Sequence, residues 1–309
     1  MAPPPDPAVV VFGSLNLDHV ITVERLPGPG ETVSGDRYMA VPGGKGLNQA
    51  VTASRQGARV AMVCCVGDDA PGQLLLGVLS REGVGATWAR VVPGTPSGTA
   101  LITVARGGAN TIVVAAGANG RLSTEDAKSA NQLLGPGMVV LTQLEVPSVS
   151  VLAMLQLARA RKATTVLNPS PAPLAVPREL LGLVDVLVAN EGEALAMGGE
   201  ATTEGAAAQL CAQGCGSVVV TLGEHGALVT QGGQSPVNVP TYRVEAKDTT
   251  AAGDAFCGTL AAALADGCDL VAAARRGCAA GALATTATGA LPSLPTAAQV
   301  QRLLASGAG

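Results

Sequence analysis

The segment Asp248-Thr249-Thr250-Ala251-Ala252-Gly253-Asp254 runs directly into Ala255-Phe256-Cys257-Gly258-Thr259-Leu260-Ala261, an apolar stretch of helical character. Small residues just ahead of a helix let its unpaired amides approach a ligand, and the positive end of the helix dipole attracts phosphate. A carboxylate in that position repels phosphate. Asp254 therefore makes chemical sense as a base facing a hydroxyl, since phosphoryl transfer asks for little beyond a base, in-line positioning and charge neutralisation. Taken singly, Asp254 reads equally as a helix cap; the whole heptad favours the base.

A second glycine-rich segment, Pro42-Gly43-Gly44-Lys45-Gly46-Leu47-Asn48-Gln49-Ala50, also precedes a helical pattern and offers a lysine and an asparagine to a polyhydroxylated ligand. It is not a Walker loop, because glycine follows the lysine and the four-residue spacer is missing. The absence of a complete G-x-G-x-x-G sequence removes the main support for a dinucleotide oxidoreductase. Gly13-Ser14-Leu15-Asn16-Leu17-Asp18 follows the first apolar run, where loops at strand ends meet ligands; Asn16 and Asp18 could grip vicinal hydroxyls or simply form a turn. Glu145, Asn190 and Glu193 follow later runs and are ordinary singly, but jointly they make a ring of polar groups at one sheet edge. His19 and His225 share no spacing with a nucleophile or with metal ligands, so neither receives a catalytic role.

These groups need a frame. Apolar runs at 9–13, 59–66, 138–142, 164–167, 186–189 and 217–221 read as buried strands, and segments 46–56, 72–82, 123–134, 147–161 and 203–213 have helical length and period. This is the βαβ rhythm of a parallel sheet covered on both faces. Ser123 three residues before Asp126 suits a helix start, as does Pro147 in a first turn. Segments 22–41 and 97–115 instead alternate apolar and polar residues around Gly/Pro turns and read as two hairpins forming a small sheet outside the main one, either plain surface hairpins or a lid.

Hydrophobic residues make up 48% of the 309 and charged residues 14%, enough for a large buried core. A net charge of −4 with four lysines argues against a nucleic acid partner, leaving small molecules. The seven cysteines have no C-x-x-C spacing and sit in apolar surroundings, as buried free thiols of a reducing compartment do. Residues 1–7 read as a proline-rich disordered tail without signal-peptide features, and no apolar run reaches the roughly 18 residues of a membrane span, so a cytoplasmic protein with no membrane partner is expected. Residues 8–309 are expected to form one α/β unit, with lid segments at about 20–42 and 97–115.

Together these residues resemble the ribokinase family of carbohydrate kinases over essentially residues 8 to 305. The Gly43-to-Asn48 segment and the Asp248-to-Asp254 heptad match its two signatures. Gly13 to Asp18, Gly117-Ala118-Asn119, Asn168-Pro169-Ser170-Pro171-Ala172 and Asn190 to Glu193 point to the branch that phosphorylates D-ribose, over fructokinase, ketodeoxygluconate kinase and nucleoside kinase relatives. The resemblance implies a three-layer αβα fold, a β lid that closes over the sugar and commonly pairs two subunits, and transfer of phosphate from ATP to O5 of D-ribose. By position Asn16, Asp18, Gly44, Lys45, Gly46, Asn48 and Glu145 would hold the sugar, with Ala100, Ile102 and Val114 closing from the lid. Asn190 and Glu193 look like the site for nucleotide phosphate and magnesium, and Thr221, Leu222, Gly223, Glu224, His225 and Gly226 like the nucleotide loop. Ala251, Ala252 and Gly253 would form the anion hole, with Gly253 also at the nucleotide and Asp254 as base. A potassium ion would take ligands from Asp248, Thr250, Ala284, Ala287, Gly289 and Ser293. Cys278 stands where members of the family often place Asn or His beside the adenine, so a weak hydrogen bonder replaces a good one. The rival readings are the same chemistry on another sugar, a sugar acid or a nucleoside, and an inactive sugar-binding regulator on the same fold.

Overall fold

The computed structural model describes residues 8–171 and 176–307. The expected tail at 1–7 lies outside the described residues, as does Ala172.

The chain enters on β1 (Val9–Phe12), leaves the main sheet for the hairpin β2 (Asn16–Val23) and β3 (Gly35–Gly43), and returns through α1 (Lys45–Arg55) to β4 (Val60–Gly67). Helix α2 (Ala70–Arg81) leads to β5 (Gly85–Val92), and the second hairpin follows as β6 (Gly98–Ala105) and β7 (Asn110–Ala115). Units α3 (Thr124–Ser129) with β8 (Val139–Gln143), α4 (Ser148–Ala160) with β9 (Thr164–Asn168), α5 (Arg178–Leu181) with β10 (Val186–Asn190), and α6 (Glu191–Gly198) and α7 (Thr203–Ala212) with β11 (Ser217–Thr221) build the other half. Strands β12 (Ala227–Gln231) and β13 (Val237–Val239) precede α8 (Ala252–Ala265), α9 (Leu270–Ala284), α10 (Ala290–Ser293) and α11 (Ala297–Ala305).

Among the described residues the main sheet runs β13-β12-β11-β10-β9-β8-β1-β4-β5, parallel from β11 to β5, with β12 and β13 antiparallel at one edge. Because β1 is flanked by β4 on one side and β8 on the other, the strand order reverses there, and a crevice opens beyond the strand C-terminal ends. Side-chain alternation divides the core between two faces. Val9 and Val11 pack with α1, α2, α8 and α9, whereas Val10 and Phe12 pack with α3, α4, α6 and α7. The expected strands and helices are present with ends shifted by one or two residues. The 123–134 helix divides into α3 and a 3-10 turn at Ala130–Leu133, its capping box between Ser123 and Asp126 is formed, and Pro147 sits one position ahead of α4.

The two hairpins do form a separate sheet, in the order β3-β2-β6-β7, with β2 and β6 parallel in the middle. Its first strand begins at Asn16, not near residue 20, so the Asn16/Asp18 pair is part of a strand of this second sheet and not a turn after β1. Asn and Asp have poor strand propensity; pairing with β3 and β6 on both sides overrides it. Asp18 stands in register with Val41, Ala100 and, through Ala100, Val114, so these four share one face of the sheet.

Helix α8 is rich in good helix formers and is buried over nearly its whole length. It lies against α1, where a side chain at Gly258 would meet the Gln49 carbonyl at 2.5 Å. That close contact brings Asp254 to the first turns of α1. Ala251, the residue before α8, has a left-handed backbone at φ 61°, which costs an L-residue about 1–2 kcal/mol. Ala251→Gly is accordingly expected to raise the unfolding free energy by up to about 1 kcal/mol after the added freedom of the unfolded chain is subtracted. Denaturant titration measures this, and a loss of stability would show that the left-handed turn carries no strain.

Candidate active site

The polar groups at the site stand where apolar strands end. Gln143, Asn168, Asn190 and Thr221 are the last residues of β8, β9, β10 and β11, each after a run of buried apolar side chains. Above them opens a cleft of about 230 Å³, lined by Lys45, Asn168, Ser170, Asn190, Glu193, Thr221, Thr249, Ala251, Gly253, Asp254 and Cys257 together with Val188 and Ala189.

Asp254 does not cap its own helix: no side chain caps α8, which starts behind Ala251. Its Oδ2 accepts from Asn48 Nδ2 at 2.9 Å and its Oδ1 from Gln49 Nε2 at 2.9 Å. The carboxylate is buried beside the open first turn of α8, and Ala251 and Gly253 line the cleft with it, so amides and carboxylate face the same space.

Lys45 opens α1. Gly44 before it has φ 93°, and a side chain there would meet the Asn16 amide at 2.8 Å, so the loop admits glycine alone. The Lys45 amide donates to Glu145 Oε2 at 3.0 Å, and the same oxygen accepts from Ser14 Oγ at 2.5 Å. Burial works against the Lys45 ammonium, but the carboxylates of Asp254, Glu145 and Glu193 outweigh it and hold its pKa above the ordinary lysine value. Lys45 thus stays charged between the base and the acidic groups around it.

Asn16 Oδ1 accepts from Asn119 Nδ2 at 2.8 Å, and Asn119 also bonds both the amide and the carbonyl of Leu15, which fixes the Asn16 side chain. Asp18 is pushed up to about 7 by burial, with the charges of Glu145 and Asp254 adding to it. Its Oδ1 and the Oδ1 of Asn48 are buried without a hydrogen-bond partner. Two such acceptors near the Asp254 carboxylate form a place suited to hydroxyl donors, since each buried unpaired polar atom costs roughly 1–3 kcal/mol. Because folded Asp18 keeps a proton that the unfolded chain releases near pH 3.8, its contribution makes the fold less stable as pH rises from about 4 to 7, by at most about 4 kcal/mol. Asp18→Asn is expected to flatten that slope in denaturant titrations across pH; an unchanged slope would mean that Asp18 titrates normally.

Asn190 and Glu193 form a reciprocal cap at the start of α6, Asn190 Oδ1 accepting from the Glu193 amide at 2.8 Å and Glu193 Oε2 from the Asn190 amide at 3.0 Å. Both still line the cleft. Of the 221–226 loop, Thr221 lines the cleft, while Leu222 to Gly226 form the tight turn between β11 and β12, with Glu224 and His225 exposed. Cys278 is not brought to the cleft lining. It is buried in the core of α9, where burial pushes its thiol up to about 12. Ala100 is buried and Val114 half exposed on the Asp18 face of the lid, with Ile102 next along the same face.

The two segments expected to hold a monovalent cation lie side by side. Asp248 Oδ2 accepts from the Gly289 amide at 2.8 Å, Asp248 Oδ1 accepts from Thr250 N and Oγ1, and the Thr285 carbonyl accepts from the amides of Lys247 and Asp248. Ala284 ends α9 just before this loop, Ala287 lies within it, and Ser293 is buried at the end of α10. Burial opposes the Asp248 charge, but the Gly289 and Thr250 donors outweigh it and keep the carboxyl below its usual range. Asp248 thus offers a carboxylate, a hard oxygen donor, beside the 284–293 loop.

Several site residues stood in or near the motifs but received no role of their own from the sequence. Gln49, Gln143, Ser14 and Asn119 hold the functional side chains from behind, and Thr249, Ser170 and Cys257 line the cleft. The available signals were a fully buried glutamine amid Leu47, Ala50 and Val51, and the polar residue closing each apolar strand.

Residues 6–297 match the pfkB carbohydrate kinase family. The chain is 38% identical to a ribokinase of Haemophilus influenzae across 93% of its own length and 95% of the relative's, and 38% identical to a ribokinase of Bacillus subtilis across 96% and 99%. Its fold superposes with a TM-score of 0.87 on Arabidopsis thaliana ribokinase complexed with ribose and ATP, at 30% identity over 97% of this chain and 99% of that one.

Proposed function

Because this chain belongs to the pfkB family of carbohydrate kinases, we propose that it transfers the γ-phosphate of ATP to O5 of D-ribose, giving D-ribose 5-phosphate and ADP. The observation that carries the reading is the pair of buried, unpartnered acceptors Asp18 Oδ1 and Asn48 Oδ1, with Asn48 bonded to Asp254. Ribose hydroxyls would donate to them, and Asn16, Glu145, Lys45 and the glycine backbone at 44 and 46 would complete the grip.

With the sugar so held, its O5 hydroxyl faces Asp254. The Asp254 carboxylate takes the O5 proton as that oxygen attacks the γ-phosphorus, and the bond from phosphorus to the β–γ bridging oxygen breaks to release ADP. Lys45 and the amides of Ala251, Ala252 and Gly253 offset the charge that builds on the transferred group. Asn190 and Thr221 would hold the nucleotide phosphates, with the 222–226 turn toward the nucleoside. Magnesium, when bound, would neutralise phosphate charge; Glu193, a carboxylate of the cleft lining, would hold it, in keeping with the few protein ligands magnesium usually takes alongside phosphate. Potassium at the Asp248 and 284–293 loops would brace the first turn of α8.

The lid would close with Ala100, Ile102 and Val114 over the sugar and exclude water. Its opposite face carries exposed Ile21, Leu101 and Val113, an apolar strip suited to pairing with a second copy of the lid. Among the described residues no helix is long and apolar enough to cross a membrane, and the free, mostly buried thiols suit a reducing cytoplasm.

ADP release is the test, with Mg-ATP and ribose, fructose, ketodeoxygluconate, adenosine or no sugar, each with and without potassium. Preference for ribose with potassium stimulation supports the reading. Preference for another acceptor would keep the base and replace the substrate, and silence across the panel would favour a sugar-binding regulator.

A further inference from the structure

Gln49 is fully buried, does not line the cleft, and yet donates from Nε2 to Asp254 Oδ1 at 2.9 Å and to Asn168 Oδ1 at 3.2 Å. Its Oε1 accepts from Gln143 Nε2 at 2.5 Å. A glutamine amide turned the other way would set its oxygen against the carboxylate, so something must fix its sense. The fixed point is the Val188 carbonyl in β10. A backbone carbonyl can only accept, and it accepts from Asn168 Nδ2 at 2.9 Å, which leaves Asn168 Oδ1 as an acceptor toward Gln49. Gln49 must then present Nε2 to both Asn168 and Asp254, and its oxygen is left for Gln143. Room for Gln143 comes from Gly13, where a side chain would sit 2.0 Å from Gln143 Oε1.

We propose that Gln49 is a positioning residue for the catalytic base: through Asn168 it carries a donor polarity set by the β10 backbone to Asp254, with Gln143 seating its oxygen, and so holds that carboxylate oriented toward the sugar hydroxyl. This rests on the functional reading above. Asn48 Nδ2 holds the other carboxylate oxygen, but Asn48 keeps an unpartnered Oδ1 for a sugar hydroxyl, whereas both ends of the Gln49 amide are taken up by protein partners. The charged and titratable groups around Asp254 are Lys45 on α1, Asp18 on β2 and Cys257 on α8, whose thiol burial keeps neutral; Glu145 and Glu193 lie across Lys45. None of these is removed by a change at Gln49, so a shift in the pH profile would belong to the lost amide donor.

The test is Gln49→Met, close in size and apolar, read by the single-turnover rate of phosphoryl transfer across pH with saturating ribose and Mg-ATP. Loss of a donor to a charged group predicts a rate roughly 10- to 100-fold lower, KM for ribose within about threefold of wild type, and an acid limb moved up by about one pH unit. Gln143→Met, one bond further back, is expected to move the limb in the same direction by less, and serves as the reading if the first variant does not fold. An unmoved limb in either folded variant, whatever the rate, would reduce Gln49 to core packing and overturn the proposal. Wild-type protein without ribose-dependent turnover would instead remove the functional reading itself.

Discussion

An Asp254→Asn variant is expected to lose roughly two to four orders of magnitude in sugar-dependent turnover while its affinity for sugar changes by only a few-fold. Asparagine keeps the shape and still accepts from one of the two amides that hold Asp254, Asn48 Nδ2 and Gln49 Nε2, so the buried site is largely preserved. It cannot accept the hydroxyl proton. Steady-state ADP release gives turnover and calorimetric titration with ribose gives affinity. Retained turnover would remove Asp254 as the base, whereas equal losses in both would make it a binding group.

The second large effect is expected at Lys45. Among the described residues lining the cleft it is the cation, and it stands between Asp254, Glu145 and Glu193. Lys45→Met leaves those carboxylates facing one another and the transferred phosphoryl group without a compensating charge, so kcat/KM should fall roughly 100- to 1000-fold. Unlike Asp254→Asn, this change should also weaken ribose binding if Lys45 belongs to the proposed sugar grip. It should lower stability too, because the acidic groups lose their shared partner. A Lys45→Met protein with normal ribose affinity would place the lysine outside the sugar site.

These two residues could be read in the sequence because each sits in a glycine-rich segment before a helix, a pattern with direct chemical meaning. The parallel sheet was legible for a similar reason: the runs that became β1, β4, β8, β9, β10 and β11 are short, apolar and β-branched. The start of the lid at Asn16 was not, since Asn-Leu-Asp-His has the composition of a turn and becomes a strand only through pairing on both sides. Nor was the support behind the base. Gln49 and Asp254 are 205 positions apart in the chain and meet because Gly258 lets α8 settle on α1, a contact that no spacing announces. Cys278 illustrates the opposite limit: family position suggested a place beside the nucleotide, and in the fold the side chain is buried in the core of α9.

The most direct measurement is phosphorus NMR of the product formed from D-ribose and Mg-ATP by wild-type protein and by Asp254→Asn. The account predicts ADP and a single sugar phosphate whose phosphorus couples to the two C5 protons, formed by wild type and nearly absent with the variant. Phosphate on another ribose oxygen, or the same product at the same rate from the variant, would contradict it.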